Sequence, residues 1–205
     1  MFKNKYPGKF IAIEGLDGSG ATGQVMKLSE HFYQAKIPAL FTQEPTNNVI
    51  GGIARGSLSG DFKIASAAGL QLLFAADRAN HLEKEIIPAL QAGTSVITKR
   101  YFLSSIAYRS VLISDRDWLW KINDQFILPD LTVLLKVSSK TRMQRIGQNN
   151  LELNLFTDEA SLQKVWENYE LIAKKYPNII IVDAEKSQDE VFEEVKKAVI
   201  NLIQA

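Results

Sequence analysis

Residues 10–24 read FIAIEGLDGSGATGQ, an apolar run that breaks into glycines and then into a stretch with helical character. Gly15, Gly20 and Thr22 fall where a phosphate-binding loop, G-x-x-x-x-G-K-[ST], needs them, but Ala21 stands at the lysine. A glycine turn between strand and helix can aim successive backbone N–H groups inward as an anion nest. The helix start adds its positive dipole end. A hydroxyl at Thr22 suits a magnesium ion. None of these needs a lysine at position 21, whose usual task is to neutralise charge on the β- and γ-phosphates. The competing reading is a bare turn without ligand, which the spacing alone favours; the strand before and the helix after bring the nucleotide reading level with it.

Outward from the loop, strand and helix signals alternate. Short apolar runs at 10–14, 39–43, 95–98, 131–137 and 178–184 read as strands. Helical patterns occupy 22–33, 70–91, 102–112, 117–127 and 188–204. In the first helix Val25, Met26, Leu28 and Phe32 make an apolar stripe; in the last, Val191, Val195, Val199 and Leu202 do. Strands that are apolar throughout and separated by helices belong to a parallel sheet covered on both faces. Right-handed crossovers make this an α/β fold, a five-stranded parallel sheet with helices on both faces, in one domain spanning 1–205.

Composition narrows the function. Of 205 residues, 46% are hydrophobic and 23% charged, and the net charge is +1. That balance gives no bulk electrostatic case for nucleic-acid or membrane partners. The absence of cysteine removes disulfides and thiolate metal sites. His31 and His81 read as solvated helix residues. No apolar run approaches the roughly 20 residues that span a bilayer, and MFKNKYPGK has no apolar segment behind it, so a cytoplasmic location is expected.

Five segments in order then resemble the thymidylate kinase family of P-loop nucleoside monophosphate kinases: FIAIEGLDGSG with TGQ, FTQEPTNNVIGGIARGSLSG, LLFAADRANHLEKEIIPALQAG, RYFLSSIAYRS and LPDLTVLLKV. The resemblance implies the P-loop kinase fold, ATP as phosphoryl donor with Mg²⁺, dTMP as acceptor, and a homodimer. It places ATP on Gly15, Leu16, Asp17, Gly18, Ser19, Gly20, Ala21 and Thr22, with Thr22 on the metal. It places dTMP on Phe74 (stacking on thymine), Arg78 (base edge), Arg100 (monophosphate), Ser104 and Ser105 (base), Tyr108 (under the deoxyribose) and Asp17 (near the 3′-hydroxyl). Other readings stand beside these: a core ring for Phe74, a surface arginine paired with Asp77 for Arg78, helix caps for Ser104 and Ser105, a turn for Asp17.

The departures from the family pattern carry information too. Ala21 replaces the loop lysine, Gly23 a hydroxyl residue, Gln43 an arginine, Lys99 an aspartate, and Lys136 a residue that is often aspartate. Between Arg145 and Trp166 the only basic residue is Lys164, so a cationic lid is not expected. Lys99 is the candidate replacement for the missing lysine and joins Arg100 and Asp17 as the catalytic set; the other reading of Lys99 is drift, with its side chain in solvent. The sequence leaves three readings: a dTMP kinase, a nucleotide-binding relative that senses or scaffolds, and a kinase for another deoxynucleoside monophosphate.

Overall fold

The computed structural model describes residues 1–64, 66–148, 156 and 158–204, with 147 and 148 described by backbone only. A small parallel ladder joins β1 (Phe2–Lys3) to β5 (Ile127–Leu128). The main sheet holds β2 (Phe10–Gly15), β3 (Ala39–Gln43), β4 (Ser95–Lys99), β6 (Leu131–Lys136) and β7 (Ile179–Asp183). All its pairings are parallel, in the order β3–β4–β2–β6–β7. The expected five-stranded parallel sheet is therefore present, with the predicted first strand at its centre.

Alternation along β2 divides the core. Phe10 and Ala12 face one side with Leu134, and Ile11 and Ile13 face the other with Val133 and Leu135. The second side is covered by α1 (Ala21–Gln34) through Leu28 and Phe32, and by α9 (Gln188–Gln204) through Val191, Val195 and Val199. The first side is covered by α3 (Ala67–His81), α4 (Ile87–Gln91), α5 (Phe102–Arg109) and α8 (Glu159–Ala173). Each large apolar side chain buried in this way contributes about 1.5–3 kcal/mol. Met26, read as part of the α1 stripe, is instead 67% exposed, because Gln24 takes an inward position on that helix.

The long helix predicted at 70–91 is three joined pieces. One π-turn, Leu82–Ile86, separates α3 from α4, and the N–H of Ile87 reaches the Leu82 carbonyl. Pro88 follows at once; its missing N–H and its ring disfavour a regular turn, which a π-bulge accommodates. α2 (Val49–Ser59), α7 (Ser139–Gln148) and α8 are not among the helices that the sequence predicts; α6 is Arg116–Lys121. Glycines disguise α2. A Cβ on Gly51 would lie 2.2 Å from the Thr46 carbonyl oxygen, so close packing rather than a turn fixes glycine there.

Chain order reverses around β2: the next strands lie on one side of it and the last two on the other. In open parallel sheets this leaves a crevice beyond the carboxyl ends of the strands. The loop 15–22 and the ends of β3 and β4 meet there.

Candidate active site

The phosphate-type loop leads into α1 with no side chain capping the helix. Gly20 is the N-cap, in the left-handed conformation that glycine permits. By contrast Asn48, Ser66, Asp115 and Asp158 cap their helices with side chains. The first turn of α1 thus meets the crevice with its N–H groups available to an anion. The buried Ser19 hydroxyl has no hydrogen-bond partner among the described residues, which also suits a phosphate oxygen.

Register brings Lys99 to this loop. It closes β4, paired with Ile13 on one side and Gln43 on the other. Its Nζ donates to the Thr22 hydroxyl at 3.1 Å. The ammonium therefore lies beside the helix start that position 21 leaves without a cation.

Arg100 follows in a left-handed backbone conformation, φ 66°. Such a conformation costs a non-glycine residue about 1–3 kcal/mol. Two bonds hold it: Arg100 N–H to the Ile13 carbonyl at 2.9 Å, and the Thr98 hydroxyl to the Arg100 carbonyl at 3.0 Å. The side chain is thereby aimed at Asp17 Oδ1, 2.5 Å away, and at Ser104 Oγ, 3.0 Å away. Burial would lower its pKa, but Asp17 beside it, with Tyr108, Tyr169 and Glu14, raises it well above the ordinary value. Tyr108 lies under the guanidinium, its ring centroid 5.4 Å from the carbon. Its hydroxyl donates to Asp17 Oδ2 and accepts from the Asp17 N–H, both at 3.3 Å. Desolvation raises the Tyr108 pKa, so the phenol stays protonated and serves as a donor.

Glu14 ties this group to the sheet. Its Oε1 accepts from the N–H groups of Tyr101 (2.9 Å) and Ser104 (3.3 Å), so it caps α5 from β2. Its other oxygen accepts from the Ser104 hydroxyl and, at 3.4 Å, from Tyr169. Desolvation raises its pKa against these donors. The serines are therefore not helix caps: Glu14 does that work, and Ser105 Oγ accepts from Arg78 at 2.9 Å.

Arg78 is not a surface residue paired with Asp77. It is 1% exposed. Its Nε and Nη2 meet Glu44 Oε2 at 2.9 and 2.7 Å, and its Nη1 donates to Asn123 at 2.6 Å. Asp77 holds the Thr46 N–H and hydroxyl instead. His81, expected in solvent, is fully buried between Thr42 Oγ1 (2.8 Å) and Glu44 Oε1 (3.2 Å). It steadies the carboxylate that holds Arg78.

Arg100, Tyr108, Asp17, Arg78 and Glu44 share the wall of one cavity of about 490 Å³. It runs along the loop, Leu16 to Thr22, past Lys99, Arg100, Ser104, Ser105 and Tyr108, to Phe74 and Arg78. Phe74 is half-buried and faces the cavity rather than the core. Every sequence-predicted site residue except Gly15 is on the wall; Gly15 forms the join of β2 and loop. Two arginines were missed: Arg55 on α2, whose Nη1 donates to the Pro45 carbonyl at 2.8 Å, and Arg109 at the end of α5. A lone arginine in the glycine-rich GGIARGSLSG and another after the apolar FLSSIAY were the available signals. The wall thus carries Arg55, Arg78, Lys99, Arg100 and Arg109 against the acids Asp17 and Glu44. Lys136 is elsewhere, bonded to Glu170 over the Trp166 ring. Of the span between Arg145 and Trp166, where no cationic lid is expected, residues 149–155 and 157 lie outside the described residues.

A comparison with family models matches residues 13–195 to the thymidylate kinase model. The chain belongs to the thymidylate kinase family. A protein named "Probable thymidylate kinase" from Thermococcus gammatolerans is 37% identical over 205 residues, covering 96% of each chain. One of the same name from Pyrococcus horikoshii is 39% identical over 194 residues, covering 92% of this chain and 94% of the relative. A "Thymidylate kinase" from Caldicellulosiruptor saccharolyticus is 30% identical over 201 residues, covering 96% and 98%. The resemblance read from five motifs therefore extends over nearly the whole of this thymidylate kinase family member, including the α7 and α8 region. Among the described residues no helix is long and apolar enough to cross a membrane.

Proposed function

We propose that this single domain transfers the γ-phosphoryl group of ATP to dTMP, giving dTDP and ADP, and works as a cytoplasmic homodimer. The observation that carries the reading is the continuous cavity, with an uncapped helix start and loop at one end and an aromatic slot with buried donors at the other. The ATP phosphates lie on the loop N–H groups of 15–22. The monophosphate of dTMP lies between Arg55 and Arg100. Its base lies on Phe74, and Tyr108 fills the space that a ribose 2′-hydroxyl needs. An oxygen of the acceptor phosphate forms a bond to the γ-phosphorus as the β–γ bridging bond breaks, and the electron pair leaves with ADP. Such transfer depends on positioning and on neutralising charge. Lys99 supplies charge that Ala21 does not. One of its contacts is the neutral Thr22 hydroxyl, and phosphate is a stronger acceptor than a hydroxyl for an ammonium group.

The loop also fits a magnesium ion carried in with ATP. Magnesium keeps several waters and takes its remaining ligands largely from phosphates. One protein hydroxyl, Thr22 at the cavity wall, is sufficient, with Asp17 as the carboxylate of the loop. When bound, the ion would offset charge on the β- and γ-phosphates. The exposed Val49 and Ile53 on α2, with Leu72 on α3, support a second copy as partner.

The acceptor end is tested by calorimetry with dTMP. Phe74→Ala is expected to weaken binding by about 1–3 kcal/mol through lost stacking and apolar contact. Equal affinity for the wild type and the variant would remove Phe74 from the site. In the same experiment dTMP is expected to bind more tightly than UMP; equal affinities would remove Tyr108 from the sugar.

A further inference from the structure

The hydroxyl that suits a magnesium ion is already engaged. Lys99 Nζ donates to Thr22 Oγ1 at 3.1 Å. The sheet holds the backbone on both sides of this lysine. The Lys99 carbonyl accepts from the Glu44 N–H at 3.0 Å, and the next N–H, of Arg100, donates to the Ile13 carbonyl at 2.9 Å. Its side chain therefore starts from a fixed point on β4, next to the strand that feeds the loop.

The carboxylate of the loop is engaged as well. Asp17 Oδ1 accepts from Arg100 at 2.5 Å, and Oδ2 accepts from the Tyr108 hydroxyl at 3.3 Å. Among the described residues no three His, Asp or Glu side chains are grouped to hold a metal ion. A hydroxyl oxygen has two lone pairs, so it can accept from an ammonium and still ligate a metal. With magnesium at about 2.1 Å from that oxygen, the ion would lie only about 4 Å from Nζ. Charges of the same sign at that distance repel. ATP brings one set of β- and γ-oxygens, and both cations are drawn to it.

We infer that Lys99 and a divalent ion compete for the Thr22 hydroxyl and the phosphate oxygens beside it, so that the ammonium takes over part of the metal's work and ATP binds with little need of magnesium. The inference rests on the proposal that the ATP phosphates lie on the loop. One lysine on β4 both adds a positive charge and stands on the oxygen that a metal would use. Arg100 adds to the effect, because it neutralises the one carboxylate of the loop that would attract a divalent ion.

The test is calorimetry of ATP on the full chain at constant ionic strength, once with excess magnesium and once with EDTA. For the wild type the two Kd values are expected to agree within about threefold. Lys99→Met is expected to bind ATP at least about tenfold more weakly in EDTA, the size of a lost charged hydrogen bond, with magnesium restoring most of the loss. Adding Thr22→Val to Lys99→Met is expected to abolish that response to magnesium, which identifies the hydroxyl as the shared point. Thermal melting checks that the variants are folded, and the wild-type comparison alone decides if they are not. A wild type that loses about tenfold or more of its ATP affinity in EDTA would overturn the inference, as would a folded Lys99→Met protein whose response to magnesium equals that of the wild type. Absence of ATP binding in both conditions, with dTMP still bound, would instead remove the phosphates from the loop, and the inference would fall with the reading it rests on.

Discussion

Lys99→Ala is expected to lower the rate of phosphoryl transfer at least about tenfold, since each 1.36 kcal/mol of lost transition-state stabilisation is a factor of ten. The loss should fall in kcat, because charge on the phosphates grows as the bridging bond breaks. The structural basis is register. The partners of Lys99 in the sheet are Ile13 and Gln43, so β4 delivers its side chain to the loop, where Nζ meets Thr22. A lysine has a flexible four-carbon stem and a compact charge, and it can serve a phosphate from a new anchor point. The control is the double change Ala21→Lys with Lys99→Asp. If Lys99→Ala leaves the rate unchanged and the double change raises it, the ammonium has not moved from loop to strand, and Lys99 is a bystander.

Arg100→Met is expected to cost more, about 10²–10³ in kcat/KM for dTMP, as loss of a preorganised donor to a charged group does. Affinity for ATP measured without acceptor should change little. Arg100 is held in an unfavourable backbone conformation by two hydrogen bonds, and this directs its fork across Asp17 and Ser104. Bidentate geometry suits a monophosphate, so Arg100→Lys should recover only part of the loss. Melting temperatures of both variants separate lost binding from lost folding. A kcat/KM for dTMP within about twofold of wild type in a folded Arg100→Met protein would place the acceptor phosphate elsewhere, given the donor effects cited above.

The parts of this molecule that were legible in the sequence share a physical cause. The strands of the parallel sheet are apolar on both faces, so the runs at 39–43 and 131–137 stood out, and α9 carried a clean stripe. α2 was hidden because Gly51 packs against Thr46 and lowers the apparent helix propensity. α8 carries Leu162, Val165, Trp166, Tyr169 and Ile172 at helical spacing, a stripe that the sequence does show. In the site, loop spacing pointed to 15–22, and the departure at Lys99 could be read against it. The role of Glu14 was less visible, although a carboxylate in a buried strand asks for partners. Arg55, Arg109, and the Glu44–Arg78–Asn123 and Glu44–His81 contacts depend on residues far apart in the chain coming together. No local pattern encodes that, and counting the missing cations of loop and strand could not anticipate which others would line the cavity.

The central claim is that a cavity built on a lysine-less loop still transfers phosphate to dTMP. It is tested most directly with ATP labelled at the γ-phosphate, Mg²⁺ and the purified chain, by following the label into products with dTMP, dUMP, dCMP, dGMP and dAMP offered in turn. The account predicts label in dTDP, formed faster than any other diphosphate, with ADP released in equal amount. Tight binding of dTMP with no label leaving ATP, or label appearing only as inorganic phosphate, would contradict it and leave a nucleotide-binding relative without transferase activity.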